Sequence, residues 1–190
     1  MPDGVPGGWL GRGLVSSLGV AVERCATWRI SVAASVGVVG CVGGLAWRQA
    51  RLAGLDLLDS RGWYTPDEVA ALFDALDRLD ASARAIYATT ALTVDMVFPA
   101  SYGLLLAVLL FRLFPGGAPM YLLPLAVAVA DGLENIAVAV MALSHDGAPS
   151  LLAWPAAVFT AVKTALFVAT LAVIGAGVMR WIRERIRHPR

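Results

Sequence analysis

The sequence predicts an all-α integral membrane protein: a bundle of four transmembrane helices, with an extracytoplasmic amphipathic helix between the first and the second. Two observations support this fold class. Of the 190 residues, 58% are hydrophobic and 15% are charged, whereas soluble domains are about half apolar and a quarter charged. The apolar residues also gather into stretches of about 20 residues, the length that crosses about 30 Å of hydrocarbon. The formal net charge of +1 indicates no nucleic-acid partner.

Four apolar stretches are long enough to span the membrane. We place them at about residues 30–47, 85–111, 120–143 and 151–179. Short connections containing Gly and Pro separate the last three, so those neighbours are expected to pack antiparallel. Residues 1–29 form an N-terminal segment whose weak amphipathic spacing fits an interfacial helix, and residues 180–190 form a basic tail.

The distribution of arginine predicts the orientation. The tail 180–190 carries five arginines against one glutamate, and such segments stay in the cytoplasm, where they can meet anionic lipid. Four spans then place the N-terminal segment on the same side. We therefore expect a multi-pass protein of the inner (cytoplasmic) cell membrane with both termini cytoplasmic and with membrane lipid as a partner.

The segment between the first two spans predicts an outer helix over residues 66–79. Thr65, Pro66 and Glu68 stand at the N-cap, first and third positions of a capping box, and apolar residues then recur at helical spacing. We expect this helix to pack over the mouth of the bundle rather than lie freely on the outer leaflet.

The first span contains the small-residue motif Gly40-x-x-x-Gly44. In lipid, small residues let helix backbones approach closely. We expect close packing within the same chain, with a homodimer through the Gly40/Gly44 face as the alternative.

Strongly polar side chains interrupt the last three spans: Asp95, Asp131, Glu134, Asn135 and Lys163. Ionisable groups at membrane depth cost about 2.5–3.5 kcal/mol each on insertion scales and usually mark function. At 1.5 Å per residue, Asp95, Asp131 and the chain's single lysine each lie about 15–18 Å into their spans, near mid-bilayer. Three helices therefore place charge at one level, which predicts a shared site.

Helical spacing arranges these residues on three faces. The third span presents, at i, i+3 and i+4, Asp131, Glu134 and Asn135. On the second span, Pro99 cannot donate to the carbonyl of Asp95, so a carbonyl, a carboxylate and the Tyr102 phenol line one side. The fourth span aligns Phe159, Lys163 and Phe167.

These faces predict roles for the polar residues. One ammonium cannot neutralise three carboxylates, so we predict that at least one acid is protonated at pH 7 and can act as a general acid. The acid–base candidates are Asp95, Tyr102, Asp131 and Glu134. The candidates for holding a ligand are Lys163, Asn135, Phe159 and Phe167. The alternative is a structural ion pair between Lys163 and Asp131 or Glu134 that fixes helix register.

Several functions remain open at this stage. We expect a site for a small, largely apolar, lipid- or isoprenoid-like ligand. An intramembrane acid–base enzyme (isomerase or cyclase), a proton-coupled transporter and a structural membrane subunit are the alternatives. Two scattered histidines predict no metal site, and no motif predicts a cofactor.

Two motifs carry a resemblance. The patterns Asp95-Met-Val-Phe-Pro-Ala-Ser-Tyr-Gly103 and Asp131-Gly-Leu-Glu-Asn135 resemble those of a group of small bacterial four-span membrane proteins, over about residues 55–175. This resemblance implies a four-helix membrane fold and no particular activity. A looser similarity is to the sterol-isomerase and sigma-2-receptor type of membrane bundle, whose acidic residues surround an apolar pocket; its motifs do not align here, so no residue role follows.

Overall fold

The computed structural model describes residues 8–115 and 119–187. Within these residues the chain is helical and contains no strand. The helices are α1 (Gly8–Cys25), α2 (Trp28–Arg51), α3 (Pro66–Leu79), α4 (Ala83–Leu92), α5 (Val94–Leu113), α6 (Leu122–Ser144) and α7 (Ala153–Arg187), with a 3-10 turn at Leu58–Ser60. Four segments are long and apolar enough to cross a membrane: α2, α4 together with α5, α6, and α7. The predicted all-α, four-span fold is confirmed.

Beyond shifts of one or two residues at their ends, the spans differ from the prediction at three places. Helix α2 continues past residue 47 to Arg51, which takes Arg48 into the helix. The second span breaks at Thr93, whose backbone leaves helical geometry (φ −118°, ψ −82°) and whose hydroxyl donates to the carbonyl of Thr89. Helix α7 runs on to Arg187, so the basic tail is helical as far as the structure describes it; the expectations for residues 188–190 and 1–7 lie outside the described residues.

Helix α3 packs on the bundle, as predicted. Its capping box is complete: the Thr65 amide donates to Glu68 Oε2 at 2.7 Å, and the Glu68 amide donates to Thr65 Oγ1 at 3.4 Å. Its apolar face, which includes Leu72 and Phe73, is buried in one core cluster with residues of α4, α6 and α7. The amphipathic pattern therefore marks a packing surface.

Two contacts fasten α3 to the connection between α6 and α7. His145 Nε2 lies 2.9 Å from Asp74 Oδ1. The side chain of Arg84 lies 3.0 Å from Asp77 Oδ1 and donates to the carbonyl of His145 at 2.7 Å. Helix α3 and this loop thus form one cover over the same end of the bundle.

Helix α6 is the central helix of the bundle. Half of the residues in its most apolar stretch are buried, against 11% for α2 at the edge. Gly103 on α5 lets α6 approach closely, because a Cβ there would lie 2.9 Å from the Ala128 Cβ. Most side chains in the middle of α6 are therefore buried against neighbouring helices.

The glycines of α2 divide between two faces. A Cβ at Gly44 would lie 3.1 Å from Val94, and one at Gly37 would lie 2.6 Å from Ser101 Oγ, so both support packing on α5. Nothing lies within 4 Å of the same position at Gly40. Close packing within the chain therefore accounts for Gly44, and Gly40 faces outward.

Candidate functional site

Helix α6 carries the polar centre of the molecule. Asp131, Glu134 and Asn135 are all buried, as their shared helical face predicts. A charged or amide side chain in this apolar environment needs partners, because burying it without them costs several kcal/mol. The neighbouring helices supply those partners at two centres, one on the α7 side and one on the α2 side.

The first centre, which we call the lysine cluster, consists of Tyr102, Asp131, Glu134 and Lys163. The Lys163 ammonium lies 2.9 Å from Asp131 Oδ1 and 2.6 Å from Glu134 Oε2. The Tyr102 phenol donates to Asp131 Oδ2 at 2.8 Å. The Glu134 side chain is fully buried, whereas Lys163 and Asp131 keep 14% and 12% of their side-chain surface exposed. The structure thus brings residues of α5, α6 and α7 together at one point.

The second centre, the arginine pair, joins Arg48 at the end of α2 to Asp95 in the first turn of α5. The Arg48 guanidinium forms an ion pair with Asp95, and only 4% and 8% of the two side chains are exposed. Arg48 also lies over the Tyr87 ring, with its Cζ 5.5 Å from the ring centroid. Asp95 therefore faces an arginine, and its counter-ion is not Lys163.

Sequence reasoning missed Arg48 because it ended the first span at residue 47. A span of that length lies near the lower limit of about 17–25 residues, so one further helical turn is the signal that would have included Arg48. The long arginine side chain can extend toward a membrane surface or turn inward. Arg48 turns inward because the carboxylate of Asp95 on the next span pairs with it.

Asn135 links the two centres. Its Nδ2 donates to the backbone carbonyl of Asp95 at 2.7 Å. This is the carbonyl that Pro99 deprives of its usual helical donor. The free carbonyl expected from the sequence is therefore satisfied by α6 and helps to hold the broken second span against it.

The buried positive and negative charges are more nearly equal in number than the sequence indicated. Among the side chains described at these two centres, there are two cations, Arg48 and Lys163, and three carboxylates, Asp95, Asp131 and Glu134. One negative charge still exceeds the cations if all groups are ionised. The expectation that one acid carries a proton therefore stays a prediction, and it now concerns the two acids that share Lys163.

A cleft of about 420 Å³ adjoins the lysine cluster. Its polar wall is formed by Tyr102, Asp131, Lys163 and Thr164. Its remaining walls are apolar, formed by Val38, Phe98, Leu105, Leu106, Val127, Phe167 and Leu171. The ring centroid of Tyr102 lies 5.2 Å from that of Phe98 and 6.0 Å from that of Phe167, both edge to face. The volume falls in the range of about 300–1,000 Å³ that small-molecule sites occupy.

Two predicted ligand residues lie outside this cleft. Phe159 lines a separate apolar groove of about 870 Å³, with Met96, Pro99 and Val162 among its other walls. Asn135 is buried against Asp95 and does not contribute to the cleft wall. Of the ligand residues expected from the sequence, Lys163 and Phe167 are those at the cleft.

In the part of the chain that the structure describes, no three or more His, Cys, Asp or Glu side chains are placed to share a metal ion. The fold and the site together define a multi-pass helical membrane protein whose lysine cluster borders an apolar cleft. No protein-family model matches the chain, and no curated protein or solved structure does either.

Proposed function

We propose that this protein binds a small, largely apolar molecule, lipid- or isoprenoid-like, in the cleft beside the lysine cluster. The observation that supports this function is the position of the buried charges on the wall of an apolar cavity. An ion pair that only fixes helix register needs no cavity, and burying charge in this way costs free energy. A mostly apolar cleft with a few convergent polar groups is the usual form of a small-molecule site.

Mass spectrometry of small molecules that copurify with the protein tests this function. Val38 lines the cleft, whereas its neighbour Val39, which points about 100° away around α2, does not line it and is 72% exposed. A bound molecule should be lost from Val38→Trp, whose indole fills the cleft, and retained by the matched control Val39→Trp. Equal retention in both variants would place the molecule elsewhere and refute the proposal.

An acid–base enzyme (isomerase or cyclase) is the second candidate. The hydrogen bond from Tyr102 to Asp131 lies in the cleft wall beside Lys163, so a proton donor and an acceptor both stand next to the space for a substrate. Tyr102→Phe should then keep the copurifying molecule unchanged but abolish its conversion in membranes. If Tyr102→Phe loses both the binding and the conversion of the molecule, Tyr102 serves in binding alone.

Two further alternatives predict different behaviour. A proton-coupled transporter should show substrate-driven proton flux in proteoliposomes, and it would need a dimer, for which the outward-facing Gly40 side of α2 is the proposed contact. A structural subunit should lose only stability when Lys163 is replaced by methionine. A structural subunit does not explain why an apolar cleft adjoins the charges.

We further propose that the four spans lie in the inner membrane with both termini in the cytoplasm. The arginines at the end of α7, among them Arg180 and Arg183, support this orientation. A reporter that is active only in the cytoplasm, fused after residue 190, should be active. Activity of a periplasmic reporter at the same position would reverse the orientation.

A further inference from the structure

We propose that the cleft selects an apolar molecule whose polar end donates hydrogen bonds, a hydroxyl or an ammonium group, over one that ends in a carboxylate or a carbonyl. This inference rests on the proposed function, since it assigns the polar end of the molecule that the cleft would bind. It follows from counting which donors and acceptors the cleft wall leaves available.

The donors of the cleft wall are already engaged within the protein. The Tyr102 hydroxyl donates to Asp131 at 2.8 Å, and the Thr164 hydroxyl donates to the carbonyl of Thr160 at 2.8 Å. The Lys163 ammonium is held between two carboxylates, at 2.9 and 2.6 Å. At most one of its three N–H groups is left for a bound molecule.

The acceptors, by contrast, have capacity to spare. Each carboxylate oxygen of Asp131 receives one donor, from Lys163 or from Tyr102, and a carboxylate offers about four acceptor positions in all. The hydroxyl oxygens of Tyr102 and Thr164 can also accept. A hydroxyl or ammonium group would therefore find several partners at the polar wall, whereas a ketone would depend on a single N–H group.

Charge favours the same choice. Two carboxylates, those of Asp131 and Glu134, already share one ammonium. A carboxylate or phosphate group entering the cleft would add a further negative charge within a few ångströms, in a medium where like charges repel strongly. An ammonium group would bring a second positive charge to these two acids. Between the two donors, the amine should therefore bind at least as tightly as the alcohol.

A matched series of single-tailed amphiphiles tests this inference. Tetradecylamine, tetradecanol, the methyl ketone of the same chain length and tetradecanoate differ only in the polar end. Binding of each is measured by native mass spectrometry of the protein in nanodiscs of a neutral phospholipid, for the wild type, Val38→Trp and Val39→Trp. Only the adduct that Val38→Trp loses and Val39→Trp retains is counted as binding in the cleft.

We expect the amine and the alcohol to occupy the cleft at least tenfold more tightly than the ketone and the carboxylate. Asp131→Asn, which removes the acceptor charge and adds a donor, should narrow this preference. Cleft binding of tetradecanoate or the ketone as tight as that of the alcohol would overturn the inference and leave the proposed function intact. If none of the four binds in the cleft, the proposed function itself fails, and the inference with it.

Discussion

The arginine pair should make Arg48 one of the most costly residues of the fold to replace. Arg48→Met would leave the Asp95 carboxylate buried, with 8% of its side chain exposed, opposite an apolar side chain. Removing one partner of a buried pair costs about 3–5 kcal/mol, because the remaining buried charge loses its counter-ion. The lost stacking on Tyr87, at 5.5 Å, adds about 0.5–2 kcal/mol. We therefore expect a loss of about 3.5–7 kcal/mol.

Reversible unfolding in mixed micelles, with SDS as denaturant and helicity as the signal, measures this loss. Arg51→Met is the matched control: Arg51 lies one turn further along α2, has the same charge and is exposed, so its replacement should change stability by less than about 0.5 kcal/mol. Asp95→Asn combined with Arg48→Met removes both charges and should recover at least half of the loss. A single variant that costs less than about 1 kcal/mol, or a double variant without recovery, would refute the proposed buried pairing.

Three further outcomes follow. In the same assay, Lys163→Met should lower the free energy of unfolding by about 3–5 kcal/mol. Adding Asp131→Asn should restore part of this loss if Lys163 serves to neutralise Asp131, and a double variant without any restoration would contradict that role. Gly103→Ala should cost about 1–3 kcal/mol through the close α5–α6 contact, whereas Gly40→Ala should cost nothing, and equal losses would contradict this packing. The backbone N–H and the hydroxyl of Thr65, the N-cap of α3, donate to the Glu68 carboxylate and lower its pKa below the ordinary value of 4.5. The ionised Glu68 carboxylate should therefore stabilise α3 fully above about pH 4.5, and this stabilisation should be lost as the pH falls through the lowered pKa. The amide exchange rates in the first turn of α3 should then differ between the wild type and Glu68→Gln at pH 7 and become equal in acid. A difference that persists in strong acid would contradict that ionised cap.

The sequence predicted the lysine cluster because the depth and spacing of its members restrict them strongly. Asp131 and Glu134 stand on one helical face, and Lys163 lies at the same depth on the following span. Exposing any of them to lipid would be costly, so convergence was the arrangement of lowest cost. The i, i+3 and i+4 rule also predicted the burial of Asn135, although not its partner.

Other features could not be derived because they depend on choices near the membrane surface or on local backbone geometry. Arg48 can be satisfied by water or by a carboxylate, and only the position of α5 decides. The break at Thr93 has no Gly or Pro to mark it, and it arises where hydroxyl groups bond to carbonyls of their own helix. Phe159 shares a face with Lys163 in projection, yet the rotation of about 40° between residues four apart lets the two contribute to different cavities.

The position of the charges along the chain has a consequence for how the protein enters the membrane. The arginine pair is complete once the second span emerges, because Arg48 precedes Asp95. The third span emerges with Asp131 and Glu134 before the helix that carries Lys163 exists, and each acid costs about 2.5–3.5 kcal/mol to insert unpaired. A chain truncated after residue 150 should therefore insert its third span inefficiently in a glycosylation-mapping assay, and the full chain should insert it well. Helix α7, the last to be synthesised, would thus be needed for the insertion of α6 before it.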